Sequence, residues 1–183
     1  MAEQSDQELL ALFRDSNANA HYAFNLIVKK YQLRLYNHVR RMVIVHDDAN
    51  DLVQNVFIKV WKHLEGFRED SQLFTWMYRI ATNECLAFLK QKRKRYFLPI
   101  HDVEAELSQK VSSMVPFDAN KLELKLQQAI LSLPEKQRLV FNLRYYDNMK
   151  YEEMSQVLGT SVGALKASYH HAVNKVEKFI KPD

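Results

Sequence analysis

Apolar residues recur at helical spacing along most of this chain, and no stretch alternates convincingly as a strand would. The pattern confines the chain to an all-α fold. Between Leu52 and Leu64, the residues Val53, Val56, Phe57, Val60, Trp61 and Leu64 form one stripe that must face a core. Phe74, Met77, Tyr78, Ala81, Cys85, Phe88 and Leu89 form a second, and Phe24, Ile27, Val28, Tyr31, Leu35, Val39 and Met42 mark a long helix that can pack on both. Ser5-Asp6-Gln7-Glu8 has the spacing of a capping box, so a short helix through Phe13 should open the chain, with Asn17 to Asn19 breaking it. Asp47 or Asp48 is expected to cap the helix that carries Asp51 to Leu64, and Gly66, followed by the turn Arg68-Glu69-Asp70-Ser71, is expected to end it.

The periodicity fails after Arg95. Residues 96–120 contain Pro99, Pro116, four acidic residues (Asp102, Glu104, Glu106, Asp118) and the pair Ser112-Ser113, and they read as a flexible linker. Helical order returns with Leu122, Leu126, Ile130 and Leu133, and Pro134 opens a further helix through Leu139, Val140, Leu143 and Tyr146. In YEEMSQVLGTSVGALKASYHHAVNKVEKF, a short helix to Leu158, a turn at Gly159-Thr160-Ser161 and a longer helix from Val162 make a helix-turn-helix. The buried stripe of that last helix is expected to be Leu165, Tyr169, Ala172, Val176 and Phe179. The chain therefore divides into two helical domains, residues 1–95 and 121–183, joined by 96–120.

At 47% hydrophobic and 26% charged residues, the composition is that of a soluble globular protein. No apolar run reaches the roughly 18 residues of a membrane span, and the polar, acidic start MAEQSDQELL resembles neither a signal nor a transit peptide, so a cytoplasmic protein is expected. Cys85 is the only cysteine, which excludes an internal disulfide and suits a small buried hydrophobe. The net charge of +4 arises in the first half, where residues 1–95 hold 15 basic and 11 acidic side chains against 11 of each in the remainder. Lys90, Lys92, Arg93, Lys94 and Arg95 supply much of the excess, a patch that attracts polyanions.

Three outward faces carry the functional signal. Asp51, Gln54, Asn55, Ile58 and Lys62 share the side of their helix away from its stripe, one aliphatic group among polar ones, which suits a small protein contact. An isolated exposed isoleucine of the ordinary kind has the same appearance. Trp76, Arg79, Asn83, Lys90 and Lys94, with Arg93 at the flank, combine an aromatic ring, an amide and cations, the groups that stack on bases, read base edges and neutralise phosphates. A basic helix end whose tryptophan packs on a neighbour also fits. On the last helix Gly163 and Ala167 would let the backbone approach a major groove closely, where Lys166, His170 and His171 can meet bases and phosphates. A generic helical hairpin has the same pattern.

Taken together, the chain resembles bacterial RNA polymerase sigma factors of the extracytoplasmic-function (ECF) group. DDANDLVQNVFIKVWKHLEGFRED is similar to the family's core-polymerase-binding segment, FTWMYRIATNECLAFLK to its promoter-melting helices, and LSLPEKQRLVFNLRYY with YEEMSQVLGTSVGALK to its reader of the upstream promoter element. The resemblance implies that residues 1–95 bind the polymerase clamp and the minus-ten element, that 121–183 bind the minus-thirty-five element, and that the linker threads toward the RNA exit path. Core RNA polymerase, promoter DNA and an anti-sigma factor are the partners it implies. Asn55 stands where the family commonly has glutamate, Ser155 where it has alanine, and Ser168 and His171 where arginines are frequent, so phosphate attraction should count for less here.

An enzyme finds no support, since neither a glycine-rich phosphate loop nor a local nucleophile motif is present, and no cofactor is called for. His170 and His171 are adjacent rather than one turn apart, a poor metal pair. A stand-alone helix-turn-helix repressor with a helical sensor domain is the main alternative, and a purely structural helical adaptor the third. Binding to core polymerase separates them.

Overall fold

The structure, a computed structural model, describes residues 4–96 and 121–181. Within those residues every regular element is a helix: α1 (Asp6–Asp15), α2 (Asn17–Val43), α3 (His46–His63), α4 (Leu73–Tyr96), α5 (Lys121–Leu131), α6 (Glu135–Tyr145), α7 (Tyr151–Leu158) and α8 (Val162–Ile180). Of the expected linker, 96–120, Tyr96 is instead the last residue of α4, and the rest, with Pro99, Pro116 and its acidic residues, lies outside the described residues.

Local chemistry sets most of the helix ends. The capping box forms as expected: the Ser5 backbone N–H donates to the Glu8 carboxylate at 2.7 Å while the Glu8 N–H donates to the Ser5 hydroxyl. The break after α1 is narrower than expected. Ser16 alone interrupts the helix and its hydroxyl caps α2, so Asn17 to Asn19 form the first turn of α2 and do not break the chain. Neither Asp47 nor Asp48 caps α3. Val45 holds the cap position without a side-chain bond, and both aspartates sit in the first turn, where their charge meets the positive end of the helix dipole.

Gly66 likewise does not terminate α3, which ends three residues earlier; the left-handed backbone conformation in the following turn belongs to Glu69, with φ 62°. Gly159 does take that conformation, at φ 63°, and closes α7 as the helix-turn-helix pattern requires. Ser161 then caps α8.

In the N-terminal unit, α1 packs on α2, and α2, α3 and α4 pack on one another. The predicted stripes face inward: Ile27, Leu35, Val39, Val56, Val60, Met77, Tyr78, Ala81 and Cys85 are fully sealed from solvent. In the C-terminal unit, α5, α6 and α7 surround α8. Three predicted stripe residues there are exposed instead. Phe179 is 49% exposed, because Ile180, four residues on from Val176, takes the inward position in the last turn of α8. Leu122 and Tyr146, expected within apolar stripes, are also exposed.

The two units are in contact through α4 with α7 and through α2 with α6. A single buried cluster runs from Leu9 and Phe13 through Tyr78 to Leu139, Val140, Leu143, Met149, Met154 and Leu165. Helix α6 is consequently buried over six consecutive residues, Arg138 to Leu143, as a helix is when neighbours cover it all round. At the contact, the Arg41 guanidinium of α2 donates to the Asp147 carboxylate at 2.5 Å, the Tyr78 hydroxyl of α4 lies 3.2 Å from the same oxygen, and His38 Nδ1 is 3.7 Å from the other. Arg93 of α4 pairs with Glu135 of α6 at 2.7 Å.

Burial pushes the Tyr78 hydroxyl up, reinforced by the Asp147 charge, so it stays protonated and able to donate. Burial would also raise the Asp147 carboxyl, but the neighbouring His38 and Arg41 outweigh it and hold it below the ordinary aspartate range. A depressed carboxylate contributes stability that is fully present above the unfolded pKa, about 3.9, and is lost as the pH falls through the lower folded value. Urea unfolding at about pH 6 and about pH 3 should therefore show a larger loss for the wild-type chain than for Asp147→Asn, which carries no titrating group there.

Candidate nucleic-acid interface

The outer row of α3 is assembled as the spacing predicts. Asp51, Gln54, Asn55, Ile58 and Lys62 all lie exposed, with Ile58 at 52%, while Val56 and Val60 on the opposite side are fully buried. Lys59, beside the row, is drawn across to Glu84 of α4. The row is a polar strip around one aliphatic side chain, backed by Val56 and Val60 in the buried core.

The outer row of α4 is more varied. Arg79, Asn83, Lys90 and Lys94 are exposed, one to two turns apart along one side. Trp76 is half-buried: its ring lies 4.9 Å from that of Phe67 at an interplanar angle of 36°. It does pack on a neighbour, and it also borders solvent. Arg93 departs from the row, because its guanidinium is paired with Glu135 of the C-terminal unit. Lys92 is tied back to Asp48 at 3.1 Å, so among the described side chains Lys90 and Lys94 are the exposed cations of this helix end.

Sequence spacing does not reveal the recess between the end of α3 and the start of α4. Lys62, His63, Phe67, Arg68, Trp76 and Arg79 line an open volume of about 830 Å³, large enough for one planar heterocycle with its sugar. Lys62, which spacing groups with the α3 row, stands on its wall together with two residues of the α4 row. The loop forming one side is held from α1: Arg14 donates to the Phe67 carbonyl at 2.6 Å and to the Glu69 carboxylate at 2.7 Å. These contacts span more than fifty residues, and the only local signal for them is the polar turn after Gly66.

On α8, Gly163, Lys166, Ala167, His170 and His171 are all exposed, with Leu165, Ala172 and Val176 buried behind them. A Cβ at Gly163 would meet nothing within 4 Å, so the start of the helix presents an open, nearly side-chain-free backbone. Lys166 Nζ lies 5.7 Å from the centre of the Tyr151 ring, and His170 Nε2 is 3.0 Å from the Asn174 amide nitrogen, one turn on. Both contacts hold polar groups on the outer face. No cluster of potential metal ligands occurs among the described residues.

Two helical units, one bearing an exposed row of cations and an amide beside an aromatic-lined recess and the other a helix-turn-helix with its second helix open, have the layout of a transcription protein. Residues 27–95 match the family model for sigma-70 region 2, and residues 123–176 match that for sigma-70 region 4. The chain is 31% identical to the ECF RNA polymerase sigma-E factor of Escherichia coli strain K12, over all of this chain and 98% of that one. It is 29% identical to the RNA polymerase sigma-H factor of Pseudomonas aeruginosa, over all of this chain and 97% of the other.

Among solved structures, that of CnrH in complex with the cytosolic domain of CnrY shares the fold, with a TM-score of 0.67 at 24% identity, over 95% of this chain and 96% of that one. The sigma factor RpoE in complex with the anti-sigma factor NepR from Bartonella quintana gives 0.65 at 23% identity, over 87% of this chain and 98% of that one. The chain belongs to the ECF group of RNA polymerase sigma factors. It is thus a sigma factor, which directs promoter recognition and transcription initiation, and the stand-alone repressor is set aside.

The Arg14 tether predicts a local effect. Arg14→Ala should speed hydrogen exchange of the amides from Phe67 to Asp70 severalfold. Because both partners are about 40% exposed, at 37% and 41%, global stability should fall by less than about 1 kcal/mol.

Proposed function

We propose that this sigma factor meets core polymerase through Asp51, Gln54, Asn55, Ile58 and Lys62, meets the minus-ten element through Trp76, Arg79, Asn83, Lys90 and Lys94, and reads the minus-thirty-five element with Gly163, Lys166, Ala167, His170 and His171. Arg93 joins the minus-ten set once its pairing with Glu135 is released. On this reading residues 1–95 form the polymerase and minus-ten domain, 96–120 the linker and 121–183 the minus-thirty-five domain. An anti-sigma factor is its third partner, a reading supported by the fold shared with an anti-sigma-bound relative. The chain acts by binding and positioning rather than by catalysis of its own, and work on polymerase and promoter DNA places it in the cytoplasm. No helix among the described residues is long and apolar enough to cross a membrane.

The observation that carries the reading is the recess beside the α4 row. Unstacked bases need a planar partner and cations for their phosphates, and here Trp76 and Phe67 line the open volume with Lys62, Arg68 and Arg79, beside the carboxylates of Glu65 and Asp70. Melting a duplex exposes such bases, so the geometry favours strand capture over reading of closed DNA. Loss of a base–aromatic contact costs about 1–3 kcal/mol, and Trp76→Ala should therefore slow open-complex formation about tenfold on duplex promoters and much less on pre-melted ones. Because Trp76 also covers Phe67, thermal unfolding is measured alongside; an equal defect on both templates with a large loss of stability would return Trp76 to the core alone.

The polymerase contact is tested separately. Ile58→Asp adds a charge at a position that is already half in water, so the fold should persist while retention by core polymerase falls by about tenfold or more. Val56→Asp is the control, since Val56 is fully sealed and a charge there unfolds the helix pack. Undiminished retention of a folded Ile58→Asp protein would remove this row from the interface.

A further inference from the structure

We propose that Asn174, which belongs to none of the three outer rows, is a positioning residue for promoter reading: its side-chain amide holds Nε2 of His170, so that the neutral ring carries its proton on Nδ1 and offers DNA a hydrogen-bond donor. The pair stands on the geometry of α8, whereas its effect on promoter choice rests on the minus-thirty-five reading above.

The two residues are one helical turn apart and share a side of α8. Gly163 and Ala167 lie on the same side, and the run Gly163, Ala167, His170, Asn174 is exposed throughout. Leu165, Ala172 and Val176, buried against the rest of the unit, fix the helix about its axis and keep that run outward. Gly163 and Ala167 carry nothing larger than a methyl group. A backbone that approaches the groove there brings the His170 ring forward as the first large group on that side. Asn174 stands further back, about 17 Å along the axis from Gly163 at about 1.5 Å per residue, whereas a recognition helix meets base edges with its N-terminal residues.

The Asn174 amide acts on the ring instead. Asn174 Nδ2 lies 3.0 Å from His170 Nε2. An amide nitrogen only donates, so Nε2 is the acceptor, and the single proton of the neutral imidazole then belongs to Nδ1. This choice runs against the intrinsic one, because a free imidazole side chain in water favours the proton on Nε2. Among the described residues no second hydrogen bond reaches His170, and the His171 ring is 6.1 Å away between centres at an angle of 55°. Lys166, one turn before, has its ammonium 5.7 Å from the centre of the Tyr151 ring. The Nδ1–H is thus left for an acceptor outside the chain.

A donor at this point discriminates among bases. In the major groove guanine presents N7 and O6, adenine N7 and thymine O4 as acceptors, whereas cytosine presents its N4 amino group, a donor. Nδ1–H therefore tolerates three bases and disfavours cytosine at one position of the upstream element. The opposite tautomer would present an acceptor there and suit cytosine. One neutral hydrogen bond corresponds to about threefold to tenfold in selection. Asn174 in this way sets a preference for a base that it does not itself touch.

The test joins spectroscopy to selection. Nitrogen NMR of the free full-length chain at about pH 8, where an ordinary imidazole is neutral, reads the tautomer directly, the His170 signals being those that His170→Ala removes. The wild-type chain should show Nδ1–H. Asn174→Leu, similar in size at an exposed position, should keep the helicity and revert to Nε2–H. Each chain is then assembled with core polymerase and put through selection from a promoter library. The wild-type holoenzyme should disfavour cytosine about threefold to tenfold at one upstream position, and both Asn174→Leu and His170→Ala should lose that bias. The double variant should behave as His170→Ala alone, since Asn174 acts on DNA only through the ring.

Nε2–H in the wild-type chain, or Nδ1–H persisting in Asn174→Leu, would overturn the pairing. The expected tautomers together with an unchanged cytosine bias in Asn174→Leu would overturn the positioning role. The expected tautomers with no preference at any upstream position would count against the minus-thirty-five reading of α8 and leave the pair itself standing.

Discussion

The inner face of α4, with Met77, Tyr78, Ala81 and Cys85 sealed from solvent, meets α2, α3 and α7 at once, and the placement of every other functional surface depends on that contact. Burying each large apolar side chain there contributes about 1.5–3 kcal/mol, so rotating α4 about its axis would cost many such terms together. The orientation of the helix is thereby fixed. Its outer row of Arg79, Asn83 and Lys90 then has to face solvent, and Trp76 has to stand at the border between core and recess. The surface proposed to accept a strand is in this way carried on a helix anchored by a buried face, which limits the ordering cost of binding.

Charge is distributed with the same economy. Lys92, Arg93, Arg41 and Lys59 are each held by an acid, whereas Lys90, Lys94, Arg79 and Lys166 lie exposed on the faces proposed to meet DNA. Formal charge counts treat these groups alike, although only an accessible cation releases counterions when it meets a phosphate. The basic run after Lys90 is therefore partly a structural clamp. Asp147 is the counterpart in the second unit: an acid in a DNA-binding domain that would repel phosphate if exposed, and that is instead turned inward against Arg41.

The helices and their inward stripes were legible in the chain because burial imposes a period of 3.6 residues, a local property that each segment displays by itself. The helix-turn-helix was legible to the residue, since the left-handed Gly159 and the Ser161 cap satisfy geometric demands that few other residues meet. Predictions failed where two chemistries competed for one role. Asp47 and Asp48 look like caps, yet the chain enters α3 one turn earlier at Val45, and Gly66 looks like a terminator although Glu69 adopts the strained conformation. Phe179 fits the apolar period of α8, yet Ile180 beside it takes the inward position.

The sequence by itself determined the all-α class, the helical units and the membership of the three outer rows, because each follows from spacing along single helices, and its motifs taken together carried the resemblance to sigma factors. Tertiary structure decided which of those residues remain available. Arg93 is paired across the units, Trp76 is shared between Phe67 and a recess, and Lys62 joins that recess as well as the α3 row. It also decided the setting of Asp147, around which His38, Arg41 and Tyr78 come together from two helices. No periodicity within one segment encodes a contact between residues 106 positions apart; only the packing of α2, α4, α6 and α7 brings such groups within bonding distance.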